Sequence, residues 1–176
     1  MKCTLIEQIP HLFKIYELKT FRKTPGVIFD QFPMACIQQV NAIDRVLHQK
    51  GAISPGPVGE TEKPWYMHPH QADNLIVLKG IRYVDLYTQD HGKVEHFTVE
   101  PNKIARNGKV IINKGAILVW PQHVFHRITS GPEGSASINI AQHFQGFDIN
   151  TNFNIYSLNT DTGKFKVIRR GHEDQF

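Results

Sequence analysis

The sequence predicts an all-β fold, a sandwich or barrel of short antiparallel strands, and three observations carry that reading. From Trp65 to about His143, β-forming runs recur at roughly ten-residue spacing, each bounded by glycine, proline or asparagine. Runs such as IVLKGIRYVDLYT and GAILVW are rich in the β-branched and aromatic residues that suit a pleated, half-buried surface. Helical spacing, by contrast, is confined to one segment near the N-terminus.

The chain of 176 residues suits one domain with a sizeable core. The barrel core is expected over about 64–145, preceded by an extension over 1–63 and followed by a hairpin within 150–171. In the extension, LFKIYELKTF and GVIFDQF read as extended segments parted by the breaker Thr24-Pro25-Gly26. CIQQVNAIDRVLHQKG then places Ile37, Val40, Ile43 and Leu47 at three- and four-residue intervals, which predicts a short helix capped by Gly51. The proline- and glycine-rich SPGPVGETEKP is a loop, expected beside whatever the following histidines line. After IVLKGIRYVDLYT comes the turn Gln89–Gly92, then KVEHFTVE, KVIIN, GAILVW, VFHRITS and SASINIAQHF. NFNIYSLN and GKFKVIRR, joined by Thr160–Gly163, read as a closing hairpin that covers a sheet edge or meets a second subunit.

Composition excludes several functions. No apolar run approaches the roughly 18 residues needed to span a bilayer, which argues against a membrane partner. MKCTLIEQIPHLFKIYEL carries glutamate and proline inside its apolar part and lacks a small-residue cleavage site, unlike a signal peptide. Cys3 and Cys36 read as reduced thiols of a cytoplasmic protein. The net charge of +4 is spread out, with one small cluster at Lys164, Lys166, Arg169 and Arg170. That is not the dense basic face of a nucleic-acid binder, and a small molecule is the expected partner.

The unusual residue is histidine, with ten in the chain. In HPHQADNLIVLKG, strand alternation points His68, His70, Ala72 and Asn74 one way and Asp73 the other. A bulge that shifted the register by one would turn Asp73 inward as a carboxylate. In GAILVWPQHVFHRITS, Val124, His126 and Ile128 share a face after the turn at Pro121, which brings His126 in as a third imidazole. Tyr66 has the inward parity of His68 and is the candidate proton donor. His143 and Gln142 end SINIAQHF on opposite faces, and His143 is a candidate base. Trp65, Met67, Trp120 and Phe125 are expected in core packing. His91 and His96 belong at a hairpin surface, and His11, His48 and His172 are isolated.

These two stretches resemble the two motifs of the cupin superfamily. The first has two histidines one residue apart, a glutamate four positions on and a glycine six further. His68, His70, Asn74 and Gly80 occupy those slots. The second has glycine, five residues, proline, one residue, glycine, two residues and histidine. Gly115, Pro121 and His126 fit, while His123 takes the glycine slot and Ser130 that of a final asparagine. The resemblance covers roughly residues 64–130. It implies a double-stranded β-helix, or jelly-roll barrel, with a divalent metal in the cavity and pairing into homodimers. The implied ligands are His68, His70 and His126, with His123 or Asn74 as a fourth. Asn74 replaces the usual carboxylate with a weaker neutral donor, and His123 would sit in the turn with positive φ.

Cupins that lose the glutamate but keep three histidines include Fe(II) dioxygenases of the cysteine and diketone types. Others have lost the metal and use acid–base chemistry, as the deoxysugar epimerases do. A metal held by neutral imidazoles keeps its full charge and open positions, so Fe(II), Zn, Mn or Ni would serve oxygenase, isomerase or lyase chemistry. Three functions are therefore weighed: a metal-dependent enzyme, a non-catalytic metal- or ligand-binding cupin, and a deoxysugar-type epimerase. The last would need Arg82 or Arg127 turned towards a nucleotide-sugar phosphate.

Overall fold

A computed structural model describes residues 2–175. The extension supplies β1 (Leu5–Ile9), β2 (Phe13–Glu17), β3 (Lys19–Thr24), β4 (Val27–Gln31), β5 (Ala42–His48) and β6 (Ile53–Ser54). Then come β7 (Trp65–Met67), β8 (Gln71–Tyr87), β9 (Glu95–Glu100), β10 (Lys103–Arg106), β11 (Lys109–Ile112), β12 (Ala116–Trp120) and β13 (Phe125–His143). A single helical turn α1 (Ile149–Asn152) leads into the hairpin β14 (Ile155–Leu158) and β15 (Phe165–Arg169).

The two long strands, β8 and β13, organise the rest. They run antiparallel from Phe125 opposite Tyr87 to His143 opposite Gln71, and the register slips between Ser130 and Ser135. The first half of β8 carries β12, and through it β2 and β1. Its second half carries β9, β10 and β11. β13 is divided likewise, with β7 and β6 on its first half and β5 on its second. The halves thus belong to two layers joined at a common corner, which is the expected cupin-type jelly roll. Phe13, Ile15, Leu75, Val84, Leu86, Phe97 and Leu118 pack between the layers.

The corner needs glycine. Gly80 has φ +73°, and a Cβ there would lie 2.0 Å from the Gly134 carbonyl oxygen. Gly134 has φ +75°, and its Cβ would lie 2.6 Å from the His48 carbonyl oxygen. Three backbones meet where no side chain fits, so the glycine of the first motif is a packing requirement.

Two expectations are corrected. The helix expected in CIQQVNAIDRVLHQKG is a 3-10 turn at Met34–Cys36 followed by strand β5. β5 pairs residue for residue with Ser135–Ala141, and an available ladder overrides the spacing of Ile37, Val40, Ile43 and Leu47. In that strand Asp44, Val46 and His48 face the interior, while Ile43 and Leu47 are exposed. Cys3 and Cys36 are also not free thiols, since they form a disulfide across a Cα–Cα distance of 5.7 Å. Closing a loop of 33 residues stabilises the fold by about 4 kcal/mol on chain-entropy grounds. The thiol-based reason for a cytoplasmic location goes with it. Among the described residues no helix is long and apolar enough to cross a membrane.

Gly80→Ala is expected to cost more than about 3 kcal/mol in urea unfolding, since it combines a clash with a positive φ. Gly108→Ala, with φ +80° but open space around its Cβ, is the control and should cost about 1–2 kcal/mol.

Candidate functional site

Between Met67 and Gln71 the chain leaves the ladder at His68-Pro69-His70. Pro69 has no N–H to give to a neighbouring strand, and the chain re-enters the sheet with its parity changed. Gln71, Asp73 and Leu75 now line an interior cavity of about 220 Å³, together with Tyr66, His68, Trp120 and His126. Ala72 and Asn74 line a separate recess on the other side of the sheet. The register shift that would make Asp73 the carboxylate of the site is what the structure contains.

His68, Asp73 and His126 are all buried, and one ligand atom from each lies within 4.8 Å of the others. His68 Nε2 is 3.5 Å from Asp73 Oδ2, and His126 Nε2 is 4.0 Å from the same oxygen. The outer ring nitrogens settle the tautomers. His68 Nδ1 is 2.8 Å from the Asn152 carbonyl oxygen, and His126 Nδ1 is 3.1 Å from that of Val124. A backbone carbonyl only accepts, so each ring carries its proton on Nδ1. Both Nε2 atoms then face the carboxylate, whose Oδ2 is buried without a hydrogen-bond partner. Two ring nitrogens and a carboxylate oxygen converge, an arrangement that favours a proton or a cation at their centre.

A shell of amides fixes the carboxylate. Gln71 Nε2 and Asn139 Nδ2 donate to Asp73 Oδ1 at 2.7 and 2.8 Å. Fully buried Asn152 donates to Gln71 Oε1 at 3.2 Å and accepts from the His70 backbone N–H at 3.2 Å. One residue of α1 therefore orients both His68 and the amide that holds Asp73.

Burial alone would raise the Asp73 carboxyl, but His68, His126 and the two amides outweigh it and hold it below its ordinary value. Burial, reinforced by His68, pushes His126 down to about 4, so it is neutral near pH 7. Burial raises the Tyr66 hydroxyl, which stays protonated beside the two imidazoles, each 5.9 Å away between ring centroids.

The other expected ligands lie elsewhere. His70 turns away after the break, its ring against Gly146. Asn74 faces the opposite recess, where its amide donates to the Ile140 carbonyl. His123 takes the turn with φ +66°, as the second motif implies, but is exposed and outside the cavity. His143 stacks on Phe147 at 3.5 Å between centroids and does not line the cavity. Arg127 is tied to Asp85 and the Lys63 carbonyl and stacked over Trp65. Sequence reasoning missed Asn152, Asn139 and His48, and left Asp73 facing outward. The signal for Asp73 was Pro69, which breaks a ladder wherever it stands between strands.

No family model and no curated protein sequence matches the chain. Its fold is similar to solved structures. One is the dTDP-6-deoxy-D-glucose-3,5-epimerase RmlC of Legionella pneumophila, in complex with dTDP-4-keto-L-rhamnose. It matches with TM-score 0.62 and 12% identity over 94% of this chain and 85% of that one. The dTDP-4-dehydrorhamnose 3,5-epimerase of Sulfolobus tokodaii matches with TM-score 0.57 and 16% identity, over 84% and 78%. QdtA, a sugar 3,4-ketoisomerase of Thermoanaerobacterium thermosaccharolyticum in complex with TDP, matches with TM-score 0.54 and 12% identity, over 80% and 85%. At such identities the likeness establishes the RmlC-like cupin fold and nothing of the chemistry.

The neutral burial of His126 gives a pH prediction. Its folded pKa lies below the unfolded value near 6.5, so stability is full above that value and is lost as pH falls towards 4. Urea unfolding of chelator-treated protein should lose about 3 kcal/mol from this group over that window. His126→Gln should flatten the slope.

Proposed function

We propose that the protein is a carbohydrate epimerase or isomerase that moves a proton at a carbon beside a carbonyl, without needing a metal. The observation that carries this reading is a buried His68–Asp73 pair beside a protonated tyrosine in a sugar-sized cavity. His68 Nε2 takes the proton, and the adjacent Asp73 carboxylate stabilises the imidazolium that forms. Tyr66 supplies a proton to the developing enolate oxygen or to the opposite face of the carbon. Neutral His126 and Trp120 close the wall and keep water from the exchanging proton. The epimerases and the ketoisomerase among the structural neighbours support the same reaction class.

A second reading is supported by one specific observation, the convergence of two ring nitrogens on a buried carboxylate oxygen that has no hydrogen-bond partner. Two histidines and a carboxylate, with both outer ring nitrogens bound to carbonyls, are a donor set that fits Fe(II), Mn, Zn or Ni. His68, Asp73 and His126 would hold the ion, and it would supply Lewis acidity towards a substrate oxygen. The ligand set expected from the motifs is thereby replaced in two places, with Asp73 standing where His70 and Asn74 were expected.

A homodimer is the assembly we propose. Ile43 and Leu47 on β5 and Leu78 on β8 are exposed by 68%, 59% and 58%. Among the described residues β3 and β4 pair only with each other, and they expose Phe21, Val27 and Ile28. An isolated two-stranded ribbon is marginal alone and gains most from packing on a partner.

The proton-transfer reading is checked by NMR of keto sugars, neutral, carboxylate-bearing and nucleotide-linked, incubated with the protein in D2O. Loss of the signal from the hydrogen beside the carbonyl is expected, falling at least 100-fold in His68→Asn. Exchange that ignores this substitution, or that fails throughout the series, contradicts the reading. For the metal, elemental analysis should find about one ion per chain that is lost in Asp73→Ala; a metal-poor protein with full activity removes this second reading. For the dimer, light scattering should give twice the chain mass, reduced to monomer mass by Ile43→Glu with Leu47→Glu; a monomeric native protein rules it out.

A further inference from the structure

Arg82 has no part in the chemistry above, and its setting is unusual. It is 2% exposed, lies two residues beyond the Gly80 corner, and lines the same cavity as His68 and Asp73. Its Nε donates to Ser135 Oγ at 3.1 Å and one Nη donates to the Val46 carbonyl oxygen at 3.1 Å. No carboxylate among the described residues lies within ion-pairing distance of it. The other acids on the cavity wall, Asp73 and Asp44, are engaged by Asn139. Burial lowers the guanidinium to about 10, which still leaves it charged at neutral pH. A buried cation without a counter-ion is costly, and removing charge from water is repaid only by a close opposite charge.

Two further groups at this end lack partners. His48 Nδ1 and Ser137 Oγ are both buried without a hydrogen bond. His48 lines the cavity, and Ser137 is 1% exposed between Ser135 and Asn139 on β13. Ser130, opposite Arg82 in the ladder, stands four residues along β13 from His126, about 13 Å of strand. The cation and the imidazoles line the same cavity, with Leu75, Val46 and Ile128 on its walls.

We propose that Arg82, with His48, forms an anion subsite for a carboxylate carried by the substrate, which is then a sugar acid. The proposal deepens the carbohydrate reading and names the substrate class of that same site. A planar carboxylate matches the guanidinium fork and brings one negative charge to one positive charge. A phosphate ester would bring a second charge into a cavity that already holds Asp44 and Asp73. A cavity of about 220 Å³ also falls below the range of about 300–1,000 Å³ typical for drug-sized ligands, which favours a compact substrate.

The test is calorimetric binding to the native protein, with D-glucuronate and D-glycerate each set against its uncharged amide, and with glucose 6-phosphate as a third probe. The acids should bind at least tenfold more tightly than the amides and than the phosphate ester. Arg82→Met should abolish that preference, and Arg82→Lys, which keeps the charge but loses the fork, should reduce it about threefold without abolishing it. Equal affinity for acid and amide, no binding of either, or tighter binding of the phosphate ester overturns the proposal. So does a preference that survives in folded Arg82→Met. The acid–amide comparison needs only the native chain and stands if a variant fails to fold. Since it reads binding without turnover, it is also independent of whether His68 moves a proton.

Discussion

The site depends on one interruption of a β-ladder. If β7 and β8 were a single regular strand, His68, His70 and Asn74 would look inward and Asp73 outward. Pro69 instead breaks the strand between Met67 and Gln71, and the chain resumes one residue out of phase. That single step exchanges a third imidazole and a neutral amide for a carboxylate. It changes the chemistry from three neutral donors to two imidazoles around a negative charge, which can hold a proton as readily as a metal ion.

The rest of the molecule holds that exchange in place. α1 contributes little to the fold by length, yet its Asn152 anchors His68 through a carbonyl and Asp73 through Gln71. Asn139 arrives from β13, with its oxygen taken by the Asn74 backbone N–H and its amide turned to Asp73. Two layers and a helical turn thus converge on one carboxylate, and each amide has a defined direction. An amide shell of this kind is rigid, because turning any of its amides leaves a further buried group unpaired. The Gly80 corner works at the other end, where three backbones touch and Arg82 enters the interior just beyond them.

Much of the fold was legible in the sequence because its requirements are local. Short β-forming runs between turn residues, Gly80 at a corner with no room for a side chain, and His123 at a positive φ each leave a mark within a few residues. What depends on distant partners did not show. β5 was read as helix because Ser135–Ala141, the strand it pairs with, is about 90 residues away. The Cys3–Cys36 disulfide depends on how the chain returns from the β3–β4 hairpin. Parity was the subtlest loss. Alternation is a sound rule within a strand and says nothing across a break, so His68 and His126 were placed in the cavity while His70 and Asn74 were misdirected. Asn152, more than 80 residues from the histidine that it orients, left no local signal at all.

The central claim is that two buried imidazoles turn their Nε2 atoms towards Asp73 because carbonyls claim their Nδ1 protons. The most direct measurement is ¹⁵N NMR of the histidine side chains in chelator-treated protein near pH 7. The account predicts a proton on Nδ1 in both His68 and His126, with Nε2 of His126 bare. A ring found with its proton on Nε2 and a bare Nδ1 would contradict it.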